Sequence, residues 1–380
     1  MAVDIDAQGL ALRARAEVAA LQAQLPRWKA NGFLARLAQV RAGTGRARIV
    51  VAGDSTVAGF GAGNADVGNR ALSWPTLLAA FFEADGIVAN TASFWGTAGR
   101  QNDAGYDPRL VRGSGWVADP FSVTSFGGPV WYNNSSTEAL AFSPMGTFDR
   151  ADIYTVSNTT QGVMAVDIGG ATVATIDAAG SPGLVKTSVS FARGIDPTLR
   201  IRRDAASGGA SVRVVGAVLH DSQRPAVEIY NGGWSGVTAA NLNAAANPWD
   251  YRAALATIAP DLTLTLVGLN DMNPANVVSV ASYAENRRQV LAAARLSGDA
   301  IELLPNPASA ALTPLATQAD YVEAARAVAR EAGVPVVDLP AAFVSYAAAA
   351  ARGLYYDIIH PGSAGQWLIA REAYKVIDAL

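Results

Sequence analysis

The sequence predicts a three-layer α/β/α sandwich around a mostly parallel, doubly wound sheet, interrupted by an all-β sandwich insertion. Two observations point to the sheet. Short apolar runs rich in Val, Ile and Leu end abruptly in polar turn residues, as in Ala47–Gly53 followed by Asp54-Ser55, and Asp261–Val267 followed by Gly268-Leu-Asn-Asp271. Between such runs lie segments of helical length and pattern, which is the alternation of a parallel α/β sheet. The third observation is a change of texture from about residue 107 to 224. Helical periodicity stops there, and turn residues punctuate short alternating runs.

In chain order, residues 7–42 are rich in Ala, Leu, Arg and Gln, with Leu10, Ala14, Val18, Leu21 and Leu25 at helical spacing. Pro26 divides them into two helices, expected to pack outside the catalytic domain or to serve assembly or attachment. The expected organisation is a helical segment over 1–43, a catalytic domain over 44–106 and 225–380, and an inserted β-sandwich over 107–224. Ala47–Gly53 is the first strand, and Gly53 permits the sharp turn after it. Gly59, Gly61, Gly63 and Gly68 form a loop beside it, Trp74–Phe82 the first crossover helix, and Gly86–Asn90 a short strand.

Inside the insertion, Val163–Ile168, Val185–Phe191, Leu199–Ile201 and Val212–Val218 read as strands. Trp116, Trp131 and Tyr132 have the chemistry to stack on sugar rings, but aromatics of a sandwich more often fill its core. The catalytic domain resumes with a strand over Ala226–Tyr230, helical segments within 238–258, the strand before Asn270, a helix over 281–296, strands over Ala300–Leu304 and Val334–Leu339, and a last helix from about Gly365 to Val376.

A serine hydroxyl is a poor nucleophile at neutral pH unless a base takes its proton and a carboxylate orients that base. Ser55, at the carboxyl end of the first strand, where ligands of open α/β sheets bind, is placed to be that nucleophile. Asp357-Ile-Ile-His360 can supply orienter and base from one loop. Four blocks, Gly53-Asp54-Ser55, Asn231-Gly-Gly-Trp-Ser-Gly236, Gly268-Leu-Asn-Asp271 and Asp357-Ile-Ile-His360, occur in this order, and together they resemble the SGNH hydrolases, or GDSL esterases. The resemblance covers roughly residues 44–100 and 226–380. It implies Ser55 as nucleophile, His360 as general base and Asp357 as its partner, with an oxyanion hole from the N–H groups of Ser55 and Gly236 and the side-chain amide of Asn270. Asn90 and Gly96 have a spacing like that of Asn231 and Gly236, but the later pair leads through a helical segment directly into the strand before Asn270. Trp234 is a candidate substrate-pocket wall, and packing is its alternative role. His220, one of two histidines, belongs to no block and reads as structural. Asp54 and Asp271 read as residues that hold their loops by hydrogen bonds.

The implied activity is that of a serine esterase removing an O-acyl group, expected to be acetyl, from a carbohydrate. A lipase or thioesterase, or a non-catalytic carbohydrate-binding attachment protein, are the alternatives. With 380 residues, 51% of them hydrophobic, the chain can bury a large core beside an inserted module. A formal net charge of −3 with mixed signs gives no footprint for nucleic acid or an anionic membrane. The expected partner is therefore an acylated carbohydrate, without cofactor or metal, and the sequence leaves the oligomeric state open. The absence of cysteine excludes disulfides and a thiol nucleophile. No signal peptide is legible, while the layout resembles secreted or phage-associated polysaccharide esterases.

Overall fold

The computed structural model describes residues 31–380 apart from 104 and 277. The helix expected before Pro26 lies outside these residues; the second is present as Asn31–Arg41. Six strands form one sheet: β1 Ala47–Gly53, β2 Ala89–Asn90, β3 Val227–Gly233, β4 Leu262–Leu266, β5 Asp299–Leu303 and β6 Val336–Val337. Their spatial order is β6-β5-β4-β1-β3-β2, and every pairing is parallel. From β1 the chain winds first toward β2 and β3 and later, on the other side, toward β4, β5 and β6. The topological switch point therefore lies at the carboxyl end of β1, where open α/β sheets bind ligands.

Alternation along β1 sends its side chains into two cores. Ile49 and Val51 meet Phe33 and Leu37 of the Asn31–Arg41 helix, Leu78 and Phe82 of the Trp74–Ala84 helix, and Ile369 and Ala373 of the Ser363–Asp378 helix. Val50 and Ala52 face the opposite way. There they meet residues of the Tyr251–Ile258, Val280–Ser297 and Leu315–Ala332 helices, and also Trp95, Phe126, Tyr154 and Val215. These last four do not belong to helices. They come from the chain between β2 and β3, so part of the third layer is a β-sheet.

That intervening chain forms two antiparallel sheets. The first runs Gly183–Ile195, Thr147–Ser157, Val212–His220, Trp131–Asn133, Val117–Ala118, and Ser93–Trp95 also pairs with Val212–His220. The second runs Ala171–Asp177, Val163–Ile168, Leu199–Arg203, Ala139–Phe142, Leu110–Arg112. They face each other across a core that holds Phe94, Trp116, Trp131, Ile153, Phe142, Val166 and Ile201. The first sheet is thus covered on both faces, by its partner sheet and by the parallel sheet. This explains why every residue of Val212–His220 is buried and why its sequence does not alternate cleanly. The antiparallel structure begins at Ser93, earlier than the texture change at 107.

Candidate active site

β1 and β4 approach so closely at Gly53 that a Cβ there would stand 2.0 Å from the Leu266 carbonyl oxygen, so only glycine fits. The chain then turns at once into the short helix Ser55–Ala58. Asp54 caps it by accepting from the Thr56 N–H at 2.9 Å. Ser55 is consequently the first helical residue, at the switch point.

Its Oγ lies 2.9 Å from His360 Nε2, and His360 Nδ1 lies 2.7 Å from Asp357 Oδ2. The other oxygen, Asp357 Oδ1, accepts the backbone N–H groups of Ile359 and His360 at 2.8 and 2.7 Å. Burial acts to raise the Asp357 carboxyl, but the hydrogen bonds from His360 and these two amides outweigh it and hold the group below its ordinary value. Asp357 therefore remains a carboxylate that favours a proton on Nδ1, which leaves Nε2 free to accept from Ser55.

The surrounding residues fix this line. Gln366, buried in the Ser363–Asp378 helix, accepts from the Trp74 N–H at 2.9 Å, and its Nε2 lies 3.3 Å from the Pro361 carbonyl and 3.4 Å from that of Thr56. One side chain so joins the histidine loop, the serine helix and the first crossover helix. Phe60 packs on the His360 ring with centroids 4.2 Å apart, and the Arg100 guanidinium stands 4.4 Å from the Phe60 centroid. Asn231 donates to the Val57 carbonyl at 2.9 Å and to Ser73 Oγ at 3.0 Å. Asn90, by contrast, sits on the edge strand and bonds Leu219 O. None of Gln366, Phe60 or Arg100 was singled out by sequence. Gln366 is the one with a signal, a polar residue at a core position of the last helix.

Three N–H donors stand at the ends of three neighbouring strands: Ser55 after β1, Gly236 after β3 and Asn270 after β4. The main-chain N–H groups of Ser55 and Gly236 donate to no acceptor among the described residues. Gly236 has φ +81° and is exposed. Asn270 donates one N–H to the Val237 carbonyl at 2.8 Å, which orients the amide and leaves its second N–H unengaged. Asp271 accepts from the Ala239 N–H at 3.0 and 3.1 Å and so ties the β4 loop to the segment after Gly236. Burial pushes the carboxyls of Asp54 and Asp271 up to about 6 each.

Trp234 donates its main-chain N–H to the Gly53 carbonyl at 2.9 Å, and its half-buried indole lies against Gly128. His220 lies apart from this site, buried between Glu228, with Nδ1 2.6 Å from Oε1, and Asp152, with Nε2 3.3 Å from Oδ2. Burial works against a charge on it, but the two carboxylates outweigh burial and raise its pKa. No group of three or more His, Cys, Asp or Glu side chains suited to a metal occurs among the described residues.

Comparison with known proteins adds the following. The profile of the GDSL-like lipase/acylhydrolase family matches residues 190–368. That span holds Gly236, Asn270, Asp357 and His360, and stops short of Ser55. A peptidoglycan O-acetylesterase structure superposes with TM-score 0.68 at 13% identity, covering 92% of this chain and 95% of its own. A lipase/acylhydrolase from Enterococcus faecalis covers 41% of this chain and 77% of its own, with 21% identity and TM-score 0.34. An acetylxylan esterase from Geobacillus stearothermophilus likewise covers 41% and 74%, with 21% identity and TM-score 0.32. No curated protein matches the chain. With a parallel sheet wound as described and this family match over residues 190–368, the chain is similar to the SGNH hydrolases, the GDSL-like lipase/acylhydrolase family.

Proposed function

We propose that this acyl hydrolase removes O-acyl groups, specifically O-acetyl, from a carbohydrate through an acyl-enzyme on Ser55. The observation that carries the reading is the hydrogen-bonded line Ser55–His360–Asp357 at the switch point of the sheet. Ser55 Oγ attacks the ester carbonyl as His360 Nε2 takes its proton. Negative charge then develops on the carbonyl oxygen, and the N–H groups of Ser55, Gly236 and Asn270 stabilise it. His360 returns the proton to the departing sugar hydroxyl, and the acyl group stays on Ser55. Water, deprotonated by the same nitrogen, attacks the acyl-serine, and acetate leaves as Ser55 recovers its proton. Trp234 walls the substrate pocket from the side of Gly128.

The choice of acetyl and of carbohydrate draws support from the fold shared with a peptidoglycan O-acetylesterase, which spans the antiparallel region as well as the parallel sheet. In this reading residues 107–224 are a carbohydrate-binding-module-like insertion. The test has two parts. Wild-type protein should release acetate from 4-nitrophenyl acetate and from an acetylated polysaccharide, and a fluorophosphonate probe should label Ser55. Ser55→Ala should abolish the labelling and lower turnover by several orders of magnitude. An Ala variant that keeps most of its activity removes Ser55 as nucleophile. Long-chain or thioester substrates preferred over acetyl esters would favour a lipase or thioesterase instead.

A further inference from the structure

Two large aromatic side chains stand exposed among the described residues, Trp367 and Phe121, and Phe121, at 68%, is the more open. Its exposure is built. Asp119, whose side chain is fully buried, accepts through Oδ1 from the N–H groups of Phe121 and Val123 at 2.8 and 3.2 Å. Its Oδ2 is held at 2.6 Å by Arg213 Nε, itself nearly buried. The loop is closed by Asp119 N–H to the Val130 carbonyl and Val130 N–H to that of Val123. Between them Ser122 is held at φ +61°, a conformation that costs a non-glycine residue energy and persists only where the surroundings fix it. The result is a phenyl ring that meets Tyr132 edge-on at 5.7 Å, with the Arg213 guanidinium 5.9 Å from the Phe121 centroid and 5.1 Å from that of Tyr132.

The same loop continues into a hairpin, Thr124–Ser125 with Gly128–Pro129, that reaches the catalytic region. Pro129 and Gly127 accept from the N–H groups of Thr97 and Ala98, and Ala98 in turn accepts from the Ser235 N–H, next to Gly236. Gly128 lies against the Trp234 indole. Phe121 and Ser125 are four positions apart, at most about 14 Å of extended chain. Phe121 is thus tied by a short, hydrogen-bonded path to the wall of the Ser55 site.

We infer that Phe121 is a stacking platform for a pyranose ring of the substrate chain, outside the pocket that takes the acyl group. This rests on the carbohydrate reading given above. The chemistry favours a sugar over a protein partner. A pyranose offers an apolar C–H face to an aromatic ring while its hydroxyls stay in water, so one exposed ring with polar neighbours is enough. A protein interface needs a larger continuous patch, and here the loop companions Asp119, Pro120 and Ser122 supply none. The earlier candidates Trp116, Trp131 and Tyr132 are all buried and cannot do this.

The test reads binding apart from hydrolysis. Wild type, Phe121→Ala and Phe121→Trp are co-sedimented with insoluble peptidoglycan sacculi and with insoluble xylan, after melting curves show that all three are folded. On whichever polymer retains the wild type, Phe121→Ala should bind about tenfold more weakly, the order set by uncovering one aromatic face, and Phe121→Trp should bind at least as tightly as wild type. Equal retention of wild type and the Ala variant, or no retention of wild type on either polymer, overturns the platform. A dimer that becomes monomeric with Phe121→Ala in sedimentation velocity also overturns it, in favour of a second copy as occupant. If wild type releases no acetate from any acetylated polymer yet shows Phe121-dependent retention, the esterase specificity falls and the platform stands.

Discussion

Asp357 holds His360 twice, through Oδ2 on the imidazole Nδ1 and through Oδ1 on the main-chain N–H of the same residue. The i, i+3 spacing makes this possible, because a carboxylate three residues ahead can reach both groups when the loop curls back. The two contacts do separate work. One fixes the loop, and the other favours the Nδ1 tautomer and, in the proposed mechanism, stabilises the imidazolium that forms when Ser55 loses its proton.

Asp357→Asn separates them. The amide keeps an oxygen for the two backbone N–H groups, so the loop should hold and the melting temperature should change little. The negative charge opposite Nδ1 is lost, and kcat on a chromogenic acetyl ester should fall by about 10³–10⁴. A loss below tenfold would show that orientation by the loop alone is sufficient.

For Asn270 the expected loss is smaller. One of its N–H groups is committed to Val237 O and the other is available to a developing oxyanion. Asn270→Ala should lower kcat by about 10²–10³ with little change in KM. If KM rises and kcat does not fall, Asn270 binds the ground state and the stabilising donors are elsewhere.

Much of this site is readable before folding, because it is carried by short motifs at strand ends. A strand buried on both faces must end somewhere, and a polar Gly-Asp-Ser after Ile-Val-Val can only be at that end. The same logic pointed to Asn270, placed β4 and β5 within one residue of their observed ends, and placed β3 within three. The Leu315–Ala332 helix escaped because its inward face, Gln318, Tyr321, Ala325, Val328 and Ala329, includes two alanines and a glutamine, leaving little contrast with the outer face. The Thr147–Ser157 strand escaped for the opposite reason. It is covered on both sides over Ala151–Ser157 and so lacks the alternation by which the exposed strands of the insertion are recognised. Gln366 and Phe60 act through contacts between distant segments, to which no local pattern points.

The buried carboxyl of Asp54 makes a prediction about pH. Its ordinary value is 3.8 and burial pushes it up to about 6, so the folded state binds this proton more tightly than the unfolded chain does. The group therefore favours folding at low pH. That contribution declines as pH rises from about 4 to 6, and above 6 the buried charge is a full penalty. Asp54→Asn keeps an oxygen to accept from Thr56 and removes the charge. It should stabilise the protein at pH 8 by up to about 3 kcal/mol, and the difference should vanish near pH 4. Urea unfolding at both pH values measures this. A variant less stable than wild type at pH 8 would mean that the carboxylate is satisfied by a partner an amide cannot replace.

Replacing residues 107–224 by a short linker tests what the antiparallel region does for the enzyme itself. Were it a detachable module, the remaining chain would fold and hydrolyse small acetyl esters normally. The packing argues otherwise. Phe126, Val130, Tyr154, Val156, Leu184, Val215 and Val218 all enter the core that covers Val50, Ala52, Tyr230 and Tyr251 of the catalytic part. Each large side chain uncovered costs about 1.5–3 kcal/mol, so several together approach the roughly 5–15 kcal/mol that holds a typical domain folded. The excision also removes His220 and Asp152, leaving Glu228, buried within β3, without the imidazole at 2.6 Å. The shortened chain should therefore be insoluble or melt far below the intact protein, with activity on small and polymeric esters lost together. A soluble, cooperatively melting product with wild-type turnover of 4-nitrophenyl acetate would show that this sheet rests against the catalytic layer without supporting it.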